Sequence, residues 1–529
     1  MPAALDNIVQ RVRTSFRLWH LGLVVIVLFY IWFDVAEIKA TGSLSERQEF
    51  RHESLTGLMG DGGKGLVPGE LPGYTGWARS EETLAGFFSI TGHSSTELKV
   101  GDEFKLSVEC KGHKKCVEGS SLFFLRAYGP SVISGVTVTK DEGQYEMMFR
   151  PLDSGVYTVE VVLSFSSPKA FVSFPLPSGI LEPAYEGYLM PGFPIRIDVG
   201  DKSTDRGATS FAVPLCTFQQ LEETSPNGAL SKARWHVDSK TNEIGYTSSS
   251  DGKKVSELGY KNNENSIGIQ MSYDYSPSCA LLTNRSFDKQ GSSHPFRQCE
   301  NKDIKVIFIG DSVMRVQWNR FDELRRDIQG VSTDYINIYG GYRMCERQDP
   351  NIKQKLDKIY AKSENSAKAI IFNTGMHDIH RLCGSEWMED RKNYIDESVL
   401  AANFSCMREY ESIVKDFADW ISSVPADLRV FQSTTSAWPK YGNYGIEWPY
   451  GAQLLPLDSS FVAPFNEIAF TVLQEYRKTI QIMDGFWITH SRPDNREIGE
   501  IGKKLSHPGL EVQGAMARIW SMMILEKLC

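Results

Sequence analysis

The apolar run Val306-Ile307-Phe308-Ile309 stops at Gly310-Asp311-Ser312, and the residues from Val313 to Trp318 read as the start of a helix. A β-branched run of this kind is the pattern of a strand buried on both faces, and such strands belong to parallel sheets covered by helices. Leading into a helix through a tight turn, this strand holds the Ser312 hydroxyl at the carboxyl edge of a sheet, where α/β sites form. Glycine permits the turn, and the first amides of the helix can stabilise a developing oxyanion. Gly-Asp-Ser recurs by chance, so its meaning depends on a partner histidine.

His507 in Ser506-His507-Pro508-Gly509 is the candidate. Behind it, Val512, Ala515, Met516, Ile519, Trp520 and Met523 form one helical stripe, which places His507 in the loop before a final amphipathic helix. A lone histidine is more often a packing residue than a base. An early Gly-Asp-Ser strand combined with a late histidine before a terminal helix resembles the SGNH (GDSL-type) hydrolase superfamily. That resemblance implies a nucleophilic Ser312 and a base in His507.

Further blocks fall between the two. Ala369-Ile370-Ile371-Phe372 is strand-like and ends in Asn373-Thr374-Gly375-Met376-His377-Asp378. This block, and the segment from Gly310 through Arg315 and Gln317 to Trp318, resemble the plant trichome-birefringence-like polysaccharide O-acetyltransferases. The resemblance implies an oxyanion-hole role for Asn373 and for a glycine of the second block, Gly341 ahead of Gly340. The alternative readings are a strand-end turn for Asn373 and a simple bend for the glycines. In the superfamily an aspartate three residues before the histidine orients it, but Lys504 stands there in this chain. Asp484, after the apolar run Ile480 to Met483, is the leading substitute, and Asp494 the next. Asp484 has a structural alternative, the capping of a strand end.

The chain has 529 residues, with 57 Lys and Arg against 66 Asp and Glu, a balance that argues against nucleic-acid binding by bulk electrostatics. Near the N-terminus, Leu21 to Phe33 is apolar, with Arg11, Arg13 and Arg17 before it and Asp34 and Glu37 after it. That charge asymmetry predicts an uncleaved signal anchor over 18–36, with 1–17 a cytosolic tail and the remainder lumenal, and a cleaved signal peptide is the alternative. The expectation is a single-pass type II membrane protein of the Golgi or endoplasmic reticulum. All nine cysteines follow the anchor, so an oxidising compartment would pair them. Cys110 with Cys116 is the most local pair, and Cys279 with Cys299 could staple the approach to the Ser312 strand. Asn284 and Asn403 head glycosylation sequons. His377 and His380 read as part of the loop after the Asn373 strand, and no metal site is expected.

The texture divides the chain further. Residues 37–84 are glycine-rich and read as a stem. Over 85–200, Phe104/Leu106/Val108, Tyr145/Met147/Phe149 and Tyr157/Val159/Val161 alternate with period two, a β-sandwich signature. Asp153 to Tyr157 resembles the tyrosine corner of immunoglobulin-like folds, and the module resembles Ig- or filamin-like domains. Residues 201–274 read as a polar connector with some strand content. Over 275–529, strands at 304–309, 334–339, 368–373, 427–432 and 479–483 alternate with helices. The expected class is α/β: a flavodoxin-like three-layer SGNH domain with a parallel sheet, preceded by an Ig-like β-sandwich and an N-terminal transmembrane helix. A sandwich ahead of a Gly-Asp-Ser domain also resembles the neurexophilin-and-PC-esterase family.

The loop from Gln432 to Gly445 is dense in aromatics and hydroxyls, so Trp438 and Tyr441 are candidate sugar-stacking residues, with an ordinary ordered loop as the alternative. Arg315 could bind a substrate carboxylate or pair with Asp322 or Glu323 on its own helix. A serine nucleophile, a histidine base and an oxyanion hole need no cofactor, and the acyl donor is open. The resemblance implies O-acetyl transfer to glycan or polysaccharide hydroxyls. The mechanism equally permits hydrolysis of a carbohydrate O-acyl ester. Loss of the orienting acid leaves a third reading, a non-catalytic glycan- or protein-binding module.

Overall fold

The computed structural model describes residues 77, 83–113, 116, 121–166, 184–200, 216, 233–237, 273–276, 281, 299, 302–325, 330–338, 350–383, 406–438, 459–499 and 502–529. The expected tail, anchor, glycosylation sites Asn284 and Asn403, second-block Gly340 and Gly341, and Tyr441 lie outside these residues.

Strand alternation builds the first half. β1 (Phe88–His93), β3 (Phe104–Cys110), β7 (Gln144–Phe149) and β6 (Val136–Asp141) form an antiparallel sheet in the order β1-β3-β7-β6. Along β3 every second residue is buried, Phe104, Leu106, Val108 and Cys110, because one face meets a core and the other water. The opposing sheet runs β12 (Tyr273–Ser276), β11 (Arg234–Val237), β5 (Ser131–Ser134), β4 (Ser121–Tyr128), β8 (Gly155–Ser166), β10 (Ile195–Gly200), β2 (Glu97–Lys99), with β9 (Ala184–Leu189) also on β8. The stretch read as a connector therefore supplies β11 and β12. Trp77 and Leu84, from the end of the expected stem, pack into the sandwich core. Tyr157 closes a tyrosine corner by donating its hydroxyl to the Asp153 carbonyl at 3.1 Å. Cys110 pairs with Cys116.

β4 does not alternate: from Phe123 to Tyr128 every residue is buried. Phe123, Leu125 and Ala127 fill the sandwich core. Phe124 meets Trp438 and His490, and Arg126 meets Asp494, so this strand has protein on both faces.

The second half is built on five parallel strands in the order β14-β13-β15-β16-β17, namely Val331–Asn337, Ile304–Gly310, Ala367–Phe372, Leu428–Gln432 and Gln481–Met483. Along β13, Ile307 and Ile309 face one core and Ile304, Val306 and Phe308 the other. The first face is covered by α2 (Pro350–Lys362), α3 (Met376–Cys383), α4 (Cys406–Ser423) and α5 (Ser459–Leu473), through Leu356, Ile379, Phe417 and Phe465 among others. The second is covered by α1 (Ser312–Arg325) and α7 (Leu510–Leu528), where Trp520 packs on Phe308 with ring centroids 5.3 Å apart. Full burial of side chains of this size contributes roughly 1.5–3 kcal/mol each. α6 (Gly485–His490) follows β17, and β18 (Arg496–Gly499) pairs antiparallel with β19 (Gly502–Pro508).

Several expectations are corrected here. The class is not α/β throughout: the described residues combine a β-rich half with an α/β half, and no described helix is long and apolar enough to cross a membrane. On that finding the single-pass type II, Golgi or endoplasmic reticulum expectation is also corrected. The longest described helix, α7, carries Glu511, Gln513, Arg518, Glu526 and Lys527 among its apolar residues. Nor is α7 an amphipathic surface helix, since Gln513, Ala517, Arg518 and Ser521 are buried along with the expected stripe. Trp235 of β11 and Tyr275 of β12 belong to the same core cluster as α7. Cys299 pairs with Cys529, joining the approach to β13 to the end of α7, rather than with Cys279. His377 lies on helix α3 rather than in a loop.

Candidate active site

The carboxyl ends of β13, β15 and β16 assemble the site. Gly310 ends β13 where α1 turns back over it: a Cβ there would lie 2.6 Å from Met314 Cβ and 3.7 Å from Asn373 Cβ. Asp311 caps α1, its Oδ1 accepting from the amides of Val313 at 2.9 Å and Met314 at 3.4 Å. Ser312 opens the helix, and its N–H meets no acceptor among the described residues. Tyr335 braces the turn from β14. Its hydroxyl lies 2.7 Å from the Asp311 carbonyl, to which it donates, and 3.0 Å from that of Gly310.

Ser312 Oγ lies 3.0 Å from His507 Nε2, across 195 residues of chain. Both are part-buried, at the end of β19 and the start of α1. With Nε2 unprotonated, the hydroxyl donates to it, the geometry of a base poised to take the serine proton.

Asn373 is buried just beyond β15. One of its two amide hydrogens goes to the Gln432 carbonyl at 2.8 Å, which fixes the side chain and leaves the second hydrogen for another acceptor. Gln432 is itself held by Gln317 of α1 at 2.7 Å. The following turn is locked by a buried carboxylate: Asp378 accepts from the Thr374 hydroxyl and, at 3.0 Å, from the Gly375 amide. Gly375 has φ +139°, and a Cβ there would lie 1.9 Å from Thr434 Oγ1. Only glycine fits that backbone and that gap. Thr434 Oγ1 in turn donates to the Thr374 carbonyl at 2.9 Å, and Asn466 brackets Thr434 at 2.8 and 2.9 Å.

Both expected orienting acids have described partners other than His507. Asp484 is the N-cap of α6: its Oδ1 accepts from Ser433 Oγ at 2.8 Å and from the amides of Phe486 at 3.1 Å and Trp487 at 3.4 Å. Burial pushes its carboxyl up to about 7, against the lowering effect of those hydrogen bonds. Asp494 lies between Arg126 at 3.0 Å and Arg492 at 2.8 Å. Trp438 is also corrected as a sugar platform: it is 2% exposed and packs against Phe124 of the sandwich, centroids 6.2 Å apart. The feature that placed it in a pocket, an aromatic-rich loop, equally suits an interdomain contact. Arg315 is exposed on α1, three residues after Ser312. Its expected partners are taken, Glu323 by Arg320 at 2.8 Å and Asp322 by Arg325. Tyr335, Asp378 and Asn466 escaped the reading of the chain. For Asp378 the signal was its spacing from Thr374, four residues along one turn.

No family model matches this chain and no curated protein matches it. Among solved structures, one similar chain is the crystal structure of the Lin-41 filamin domain, at 16% identity over 21% of this chain and 91% of that one, with a TM-score of 0.15.

Proposed function

We propose that the protein is a serine-dependent O-acyltransferase acting on glycan hydroxyls. The observation that carries the reading is the 3.0 Å approach of Ser312 Oγ to His507 Nε2. The hydroxyl adds to an acyl carbonyl as its proton passes to Nε2, and the Ser312 N–H and the second Asn373 amide hydrogen stabilise the oxyanion. Collapse expels the donor's leaving group, which takes the proton back from His507 and leaves the acyl group on Ser312 Oγ. An acceptor hydroxyl then repeats the sequence in reverse, with His507 as its base. The resemblance to trichome-birefringence-like polysaccharide O-acetyltransferases supports acetyl as the group and a sugar as the acceptor. Because Ser312 and His507 are both part-exposed, water can also reach the acyl-enzyme, which supports ester hydrolysis as the second reading.

The test is turnover of a fluorogenic acetyl ester by the full chain, with and without an oligosaccharide acceptor, acyl transfer being followed by mass spectrometry. Ser312→Ala and His507→Gln should each remove activity by about 10³-fold or more while the protein stays folded. Ser312→Ala turnover equal to wild type overturns the reading. Ester cleavage with no acylated sugar for any acceptor supports the hydrolase.

A further inference from the structure

Five charged side chains form one buried chain from the sandwich to the segment that carries His507. Arg126 on β4 and Glu160 on β8 are cross-strand partners. The Arg126 guanidinium donates to Glu160 Oε2 from Nε at 3.1 Å and Nη2 at 2.8 Å. Its Nη1 reaches Asp494 Oδ1 at 3.0 Å. Asp494 Oδ2 accepts from Arg492 Nε at 3.0 Å and Nη2 at 2.8 Å, and Arg492 Nη2 also meets Glu511. In order from Glu160 to Glu511 their exposures are 0, 1, 5, 1 and 8%. Apolar residues of the same volume would hold the two surfaces together at least as well, because desolvating charges offsets much of their attraction. What directional, charge-assisted bonds add is a defined register.

The register concerns the base. Arg492, Asp494 and Asn495 share one turn, with the Asn495 amide on the Arg492 carbonyl at 3.1 Å. The Asn495 carbonyl accepts from the Gly509 amide at 2.8 Å, and its Oδ1 from the Val512 amide at 3.2 Å. Gln513 Nε2 holds the Pro508 carbonyl at 2.7 Å. The backbone directly after His507 is thus clasped by the turn that Arg126 anchors, and Glu511 ties the first turn of α7 to the same anchor.

We infer that Arg126 of the sandwich is a positioning residue for His507, acting through Asp494, Arg492 and Asn495, so that the sandwich completes the site instead of being a separate binding module. This rests on the serine-dependent reading of the site. It is tested in the full chain with Arg126→Gln, with Asp494→Asn as a second break of the same link, and with Val108→Ala, a buried change in the opposite sandwich sheet, as control. Amide exchange over residues 508–513 and the kinetics of the acetyl ester are measured on folded protein.

The expected result is a tenfold or greater rise in exchange at Gly509 and Val512, and a tenfold or greater fall in kcat, with KM changed less than twofold, in both link variants. Val108→Ala should lower the melting temperature and leave both quantities as in wild type. If Arg126→Gln does not fold, Asp494→Asn decides. Wild-type exchange and kcat in a folded link variant overturn the inference, as does an equal kcat loss in Val108→Ala. If wild-type turnover does not depend on Ser312, the functional reading fails separately, and exchange alone decides whether Arg126 holds the 508–513 segment.

Discussion

Replacing Asp484 with asparagine separates a cap from a catalytic acid. The carboxyl is buried, and its ordinary value of 3.8 is pushed up to about 7, first by burial and despite the bonds from Ser433, Trp487 and Phe486. Below 3.8 both the folded and unfolded chains carry the proton and Asp484 contributes no pH dependence. As pH rises towards 7 the unfolded state releases the proton while the folded state keeps it, so stability falls across this window and stays reduced above it. The interval is about three pH units, which at 1.36 kcal/mol each is on the order of 4 kcal/mol. An asparagine side chain in this place would retain an Oδ1 acceptor for the hydroxyl and both amides without ionising. The variant should therefore match wild type near pH 4 and exceed its stability by up to about 4 kcal/mol at pH 8. Urea unfolding of both proteins at pH 4.5, 6 and 8 reads this as a difference, in which all other titrations cancel. Turnover per folded molecule should not change. A variant less stable than wild type at pH 8 would mean that the ionised carboxylate is a favourable cap, and the reasoning from burial would be wrong. A loss near 10⁴-fold in kcat with folding intact would place Asp484 on the imidazole after all.

Three further outcomes follow from the geometry. Asn373→Ala should lower kcat by about 10²–10³-fold, as loss of one oxyanion donor does, and reduce stability by only about 1 kcal/mol for its bond to Gln432; ester kinetics and urea melts check both. Trp438→Ala should cost about 3–5 kcal/mol of stability, because it opens a cavity against Phe124, yet leave KM for any sugar acceptor unchanged; a raised KM with normal stability would restore it as a stacking residue. Cys529→Ser releases a loop of 230 residues and should destabilise by up to about 5 kcal/mol under oxidising conditions. Because Lys302 Nζ still holds the carbonyls of Leu528 and Cys529, the native end of α7 should stay docked, which proteolysis of the folded protein would check.

The residues reveal what depends on near neighbours. β-Branched runs ending in turn residues marked β13, β15 and β16 to within a residue or two, and period-two alternation marked β3, β7 and β8, because each pattern is set by contacts along one element. The Gly-Asp-Ser turn was legible for the same reason: the glycine, the capping aspartate and the first helical serine are adjacent. Position before a terminal helix singled out His507, but nothing along the chain measures its distance to Ser312.

Which element faces which was decided only by the tertiary structure. Asp484 and Asp494 have the chemistry of an orienting acid, yet one caps α6 and the other bridges two arginines, because their elements point them there. Arg126 and Glu160 interrupt apolar strands at matching register, an anomaly visible in the chain, but its meaning lies in Asp494, 368 residues beyond Arg126. β11 and β12, drawn from a polar stretch, bring Trp235 and Tyr275 into the same core cluster as α7, whose burial its helical stripe does not predict. Local propensity is a property of a few consecutive residues. The site is a property of packing, in which side chains far apart in sequence become neighbours only once every face is covered.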